Sequence, residues 1–237
     1  MADEAQGTTV RWEDGVPVSA RFDDPYYSRE DGLAETRHVF LEGCRVARMA
    51  REGRTRIAEL GFGTGLNFCA TLLSWERHAA PDLVLDYTAF ERFPMKADEI
   101  DRALRVWPEI DAQRTALVAV WTGRSETIRV GSARLTIVAG DARETVPVWG
   151  GVADAWYLDG FAPARNPEMW TPELLAAVGA TAAPGALAAT YSVAGTVRRG
   201  LEAAGFSLER LPGYGRKREM LRAIRTSPGR EPPVSRR

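Results

Sequence analysis

Cysteine and histidine are scarce in this chain of 237 residues: Cys44, Cys69, His38 and His78 are the whole complement. Two thiols cannot build a disulfide framework, and so few ligands do not make a zinc cluster. No metal site is expected, and a reduced, cytoplasmic protein is. Long apolar runs are also missing. No stretch approaches the ~20 residues that span a bilayer. Residues 1–9 carry neither a basic start nor an apolar signal core, so neither a membrane span nor export is expected. Nor is there an excess of one charge: 31 Lys and Arg face 32 Asp and Glu. That balance hides an asymmetry, because residues 198–237 hold 11 basic against 4 acidic side chains and the first 197 hold 20 against 28. Such a distribution marks either a local phosphate-binding face or a solvated, arginine-rich end.

What is present is ordinary for a globular protein, with 45% hydrophobic and 27% charged residues. The length suits one domain with a sizeable core. From Arg56 onward short apolar runs alternate with helical patterns. "RIAEL", "LVLDYTAFE", "ARLTIVAGD", "DAWYL" and "ALAATYS" read as strands, with helices between them. Thr171-Pro172 starts a helix and Pro184-Gly185 stops it, and "GTVRRGLEAAG" is a helix ending on Gly205. "FSLERLPGYG" and "REMLRAIR" follow one another without a helix, which implies an antiparallel edge hairpin. The pattern predicts an α/β, Rossmann-like domain: a mostly parallel, seven-stranded sheet with helices on both faces. Its expected extent is 56–225, with a helical insertion at about 94–126 broken at Trp107-Pro108. An N-terminal extension, 1–55, packs on that core, its first 15 or so residues frayed, and 226–237 is a tail.

"ELGFGTG" places glycines where the first strand turns into the first helix. Gly61 and Gly63 permit backbone angles closed to other residues, and the next helical turn offers unpaired N–H groups and a positive dipole end. A dinucleotide fingerprint is G-x-G-x-x-G; this is acid-x-G-x-G-x-G. It resembles the first motif of class I S-adenosylmethionine (SAM)-dependent methyltransferases. That resemblance makes Glu59, Gly61, Phe62, Gly63, Thr64, Gly65 and Asn67 the expected cradle for the methionine end of the cofactor. Glu91, ending the next strand, is placed to accept the ribose hydroxyls, Phe93 to pack on adenine, and Asp141 after "LTIVAG" to meet the adenine amino group.

Asp159 follows the apolar strand "AWYL" and so points into the crevice at the carboxyl ends of the strands. In "DGFAP" it resembles the fourth motif of amino-methylating enzymes. An alkylamine with a pKa near 10.4 is mostly protonated at neutral pH. Asp159 would take its proton or a hydrogen bond, while Phe161 stacks on a base and holds it in line. The plainer reading makes Asp159 a cofactor contact and Phe161 core.

Taken whole, the motifs "FDDPYYS", "GLAETRHVFLEG", "ELGFGTGLNF", "FERFPM", "WYLDGFAPARNPEMW", "VRRGLEAAGF" and "GYGRKREML" resemble the methyltransferase domain of the bifunctional MnmC family, whose stand-alone form is called MnmD. The resemblance runs from Phe22 to Leu221. It implies N-methylation of 5-aminomethyl-(2-thio)uridine at the wobble position of tRNA, with the anticodon loop as partner. Only 16 residues follow Leu221, so a separate FAD-dependent oxidoreductase, or another pathway, would supply the aminomethyl base. The resemblance also implies roles for Tyr26, closing over cofactor or base unless it is structural, for Arg165 with Asn166, reaching the anticodon backbone, and for Arg216, Lys217 and Arg218, gripping phosphates unless they are surface charge. Trp156 and Trp170 are further stacking candidates, Trp156 reading more as core. The competing functions are an aminopropyl transferase of the spermidine-synthase type, a catalytically silent RNA-binding relative, and, least supported by glycine spacing, a nicotinamide dehydrogenase.

Overall fold

The computed structural model describes residues 10–226; the expectations for the first nine residues and for all of the tail but Thr226 lie outside them. The chain opens with a small antiparallel sheet of β1 (Val10–Glu13), β2 (Val16–Ser19) and β3 (Asp24–Pro25). Residues 10–13 are therefore paired and not frayed. Asp14 and Gly15, both at positive φ, turn β1 back onto β2, and Trp12 lies across from Pro17. Then come α1 (Gly32–Thr36), a π-helical turn (Arg37–Glu42) and α2 (Val46–Arg51). These pieces are separated at Arg45, which takes a left-handed conformation (φ 55°).

The main sheet begins with β4 (Arg56–Leu60), followed by α3 (Leu66–His78), β5 (Leu85–Glu91), α4 (Ala97–Leu104) and α5 (Asp111–Val120). Next are β6 (Glu126–Val130), β7 (Ala133–Ala139), α6 (Ala142–Thr145), β8 (Ala153–Leu158), α7 (Pro172–Ala180), β9 (Ala182–Thr190), α8 (Gly195–Ala203), β10 (Phe206–Pro212) and β11 (Glu219–Arg225). The order across the sheet is β10-β11-β9-β8-β4-β5-β7-β6. β5, β7, β8 and β9 run parallel to their neighbours around β4, while β11 returns antiparallel between β9 and β10. The sheet thus has eight strands and not seven. The extra one, β6, is an antiparallel edge beside β7, and its polar "ETIRV" lacks the apolar run of an inner strand.

Helices α4 and α5 make the crossover from β5 to β7. Ile100, Leu104, Ile110 and Leu117 are buried beneath them, so this stretch is core. Pro184-Gly185 is not a helix stop. α7 has already ended at Ala180, and the two residues sit in an irregularity of β9 where the register against β8 shifts. Proline has no N–H for a ladder, and Gly185 takes φ +73°.

β8 shows how both faces are filled. Trp156 and Leu158 point to one side with Phe90, Leu174 and Val178; Ala155 and Tyr157 point to the other with Phe68 and Leu72. All four β8 side chains are fully buried. Trp156 is core, and deleting such a ring costs about 3–5 kcal/mol. The chain runs outward from β4 to β5 on one side and from β8 to β9 on the other. Between β4 and β8 lies the switch point, where open α/β sheets bind their ligands.

Candidate active site

A cavity of about 870 Å³ opens at the carboxyl ends of β4, β5, β7 and β8, roofed by the N-terminal segment. Its floor is the turn from β4 into α3. Gly61, Gly63 and Gly65 all have positive φ (82°, 54° and 77°), a left-handed conformation that a Cβ disfavours. Gly61, Phe62, Gly63 and Thr64 line the cavity; Gly65 does not. A Cβ on Gly65 would press Leu117 and Phe62 at 3.0 Å, so this glycine serves packing. The Phe62 ring itself stacks on Trp121 in the core, with 4.8 Å between centroids.

Beneath the turn lies Glu59, fully buried. Its Oε1 accepts from the Asn67 amide at 2.7 Å and its Oε2 from the Tyr87 hydroxyl at 2.9 Å. Burial, then the nearby Asp159, pushes its carboxyl well above the usual range. Glu91, closing β5, accepts from the backbone amides of Gly63 (3.0 Å) and Phe93 (2.7 Å). Burial raises its carboxyl, while the amides of Gly63, Phe93, Phe62 and Arg92 oppose this; it lines the cavity at the end of β5, where a ribose diol is expected. Phe93 lies under two guanidinium groups, Arg21 at 4.7 Å and Arg92 at 5.3 Å. Asp141 borders the cavity but differs from expectation. Its side chain caps α6 through the Arg143 amide and takes three further bonds from Arg143 and Arg92. Arg143 above all holds it below the usual carboxylate range. Four donors, three of them from Arg143, thus engage the two Asp141 oxygens in this structure.

Asp159, just past β8, is enclosed by protein except where it faces the cavity. Its Oδ1 accepts from the Gly160 amide at 2.8 Å and its Oδ2 from Asn67 at 2.7 Å. Burial raises it to about 7; Glu35 adds to this, while the Gly160 and Asn67 hydrogen bonds and the Lys217 charge oppose it. Phe161 extends beside it, stacked on Phe22 (centroids 4.8 Å apart, 30° between planes) and edge-on to Tyr26 at 5.1 Å. Trp170, buried, donates its indole N–H to the Phe161 carbonyl and so braces the loop. Tyr191 does the same for the Gly160 carbonyl at 2.6 Å.

Residues 108–226 match a family model described as S-adenosyl-L-methionine-dependent methyltransferase, a span that includes Asp159 and Phe161. The chain belongs to that family. Methyl transfer from SAM is its chemistry, which separates it from aminopropyl and hydride transfer. The chain is 47% identical to the tRNA 5-methylaminomethyl-2-thiouridine biosynthesis bifunctional protein MnmC of Caulobacter vibrioides, with all of this chain and 41% of that protein covered. Against the protein of the same name from Pseudomonas aeruginosa PAO1 the identity is 46%, over 91% of this chain and 35% of the relative. The chain thus spans about two-fifths of the length of these curated relatives, or less. Among solved structures, MnmC2 of Aquifex aeolicus superposes with a TM-score of 0.75 at 25% identity, covering 95% of this chain and 73% of that one.

The cavity suits the methyl donor of this family: its volume lies within the roughly 300–1,000 Å³ of small-molecule sites, and Glu91 lines it beside the glycine turn. Other expected residues of the methyltransferase are dispersed. Tyr26 lines the cavity, its ring 3.2 Å from where a Gly63 Cβ would be. Arg165 pairs with Asp23 at 3.3 Å and does not line the cavity. The Arg216-Lys217-Arg218 triplet divides. Arg216 is almost fully exposed, bonded to Glu30 at 3.2 Å, and Arg218 is exposed, without a side-chain partner among the described residues. Lys217, its side chain half-exposed, lines the cavity 2.8 Å from Glu35 and 3.9 Å above the Tyr191 ring. Phe22, Asp24, Glu35, Thr36 and Tyr191 line the cavity too, and sequence reasoning did not assign them. "FDDPYYS" held the first two in a quoted motif, but only the packing of the N-terminal sheet brings them over the cavity, with Asp24 accepting from the Ala162 amide at 2.9 Å.

Proposed function

We propose that this methyltransferase methylates the exocyclic amine of 5-aminomethyl-(2-thio)uridine at the tRNA wobble position, yielding the 5-methylaminomethyl derivative. The observation that carries the reading is the placement of Asp159, beside the aromatic rings of Phe22 and Phe161, in the same cavity as the glycine turn. The names of the MnmC relatives support the substrate.

The substrate amine arrives as an ammonium ion. Asp159, near 7, takes one of its protons. Relative to an ordinary aspartate, that elevation closes roughly half of the gap to an alkylamine near 10.4. When bound, the cofactor's sulfonium supplies an electrophilic methyl, so that the C–N bond forms as the S–CH₃ bond breaks and the electron pair stays on sulfur. Phe161 and Phe22 hold the uracil ring so that the freed lone pair lies in line. The amides of the glycine turn hold the amino-acid end of the donor, Glu59 braces that turn from beneath through Asn67, and Glu91 holds the ribose. An anticodon base must leave its stack to enter, which costs less in a single-stranded loop than in a duplex. The exposed Arg216 and Arg218 are then placed to meet phosphates outside the cavity, and a separate FAD-dependent oxidoreductase is the proposed source of the aminomethyl base.

The test supplies methyl-labelled SAM and tRNA carrying 5-aminomethyl-2-thiouridine, then digests the tRNA and identifies the labelled nucleoside by mass spectrometry. Label in 5-methylaminomethyl-2-thiouridine is the expected result. Label elsewhere, or none, refutes the substrate.

A further inference from the structure

Asn67, in the first turn of α3, has both its donor hydrogens already committed. The amide nitrogen gives one to Glu59 Oε1 and the other to Asp159 Oδ2, each at 2.7 Å, and its carbonyl accepts the Thr36 hydroxyl at 2.8 Å. A primary amide has two donors and no more. Turning it over would set its carbonyl against two carboxylates, so the three partners together select one orientation. Asn67 and Thr36 are both buried. Thr36 comes from far earlier in the chain, at the junction of α1 with the π-helical turn, an irregularity often found at functional sites.

We propose that Thr36 and Asn67 form a positioning pair: the Thr36 hydroxyl fixes the amide, and the amide holds Asp159 in place while tying it to Glu59. Asn67 then acts through Asp159 and not as a cofactor ligand. The inference rests on the reading of Asp159 as the group that takes the substrate's proton. Two bonds from one nitrogen keep the carboxylate oxygens within about 5 Å of each other, where two negative charges repel. The shared N–H groups stabilise both ionised forms and offset part of what burial does. The other groups facing Asp159 are Glu35 from α1, Lys217 from the β10–β11 loop and Tyr191 after β9; Tyr87 reaches it through Glu59, and Asp24 faces Tyr191. None of them donates a hydrogen bond to the Asp159 carboxylate.

The experiment follows the carboxyl carbon of Asp159 by NMR in protein labelled at aspartate, without donor or tRNA, the resonance being assigned through Asp159→Asn. Thr36→Val keeps the shape and removes the hydroxyl; Thr36→Ser keeps the hydroxyl. Thr36→Val should raise the titration midpoint by at least about half a unit and slow single-turnover methyl transfer several-fold at pH 7, with donor affinity changed less than about threefold. Thr36→Ser should restore the midpoint and most of the rate. If Thr36→Val does not fold, Thr36→Ala takes its place. An unmoved midpoint, or one moved equally by Val and Ser, overturns the pair. A moved midpoint in a protein that methylates no aminomethyluridine would instead overturn the substrate reading and leave the pair standing.

Discussion

Phe22 stacks on Phe161 across the mouth of the cavity, although 139 positions separate them, with ring centroids 4.8 Å apart. One ring belongs to the turn between β2 and β3 and the other to the loop after β8, so this aromatic pair forms only when the N-terminal sheet docks. Base–aromatic stacking is worth about 1–3 kcal/mol per base. Phe22→Ala is therefore expected to raise the KM for tRNA about tenfold while leaving the Kd for SAM within about twofold, and Phe22→Trp to retain binding. Calorimetry for the donor and steady-state kinetics for tRNA separate the two effects.

A second prediction concerns stability against pH. Burial raises Asp159 from 3.8 to about 7 in the folded chain, so between these values the folded state holds a proton that the unfolded state has released. Stability contributed by this group is therefore present at low pH and lost as pH rises toward 7. Asp159→Asn removes the cost of ionising the buried group. Its melting temperature should exceed that of the parent by more at pH 8 than at pH 5. An equal gain at both would mean that Asp159 titrates as an ordinary surface carboxylate.

The glycines of the cofactor turn should part company. Gly65→Ala forces a Cβ into Leu117 and Phe62 at φ +77°, and backbone strain alone costs ~1–3 kcal/mol. It is expected to lower thermal stability by several degrees. Gly63→Ala carries a like backbone penalty at φ +54°, but its Cβ meets only the Tyr26 ring at 3.2 Å and faces the cavity. It should weaken donor binding more than it lowers the melting temperature.

The basic triplet is predicted to split in the same way. Arg218→Gln should reduce the slope of log affinity for tRNA against log salt by about one, the mark of one lost phosphate contact, and leave the rate of methyl transfer unchanged. Lys217, lining the cavity beside Glu35 and Tyr191, should affect the rate more than the salt slope when changed to Gln. A reversed pattern would place the phosphates at Lys217.

Much of this was legible in the sequence because it is local. The strand-to-glycine-to-helix order of 56–78 and the apolar run before Asp159 are written in consecutive residues, and so the Rossmann-like sheet could be read. β6 escaped because an edge strand with a solvated face has no apolar run, and the Pro184-Gly185 irregularity imitates a helix end. Asp141 kept its predicted place, yet Arg92 and Arg143, 49 and 2 positions away, occupy its oxygens. The Thr36–Asn67 bond and the Phe22–Phe161 stack depend on how the first 55 residues fold over the sheet. Nothing in the residue types alone announces such pairings.

The most direct test of the account compares rate and donor affinity in Asp159→Ala, using single-turnover methyl transfer to aminomethyluridine tRNA and calorimetric titration with SAM. Loss of general-base assistance typically costs about 10²–10⁴-fold. The account predicts a rate loss in that range with the Kd for SAM within about threefold of the parent. Equal losses in rate and in donor affinity would contradict it, reducing Asp159 to a cofactor contact.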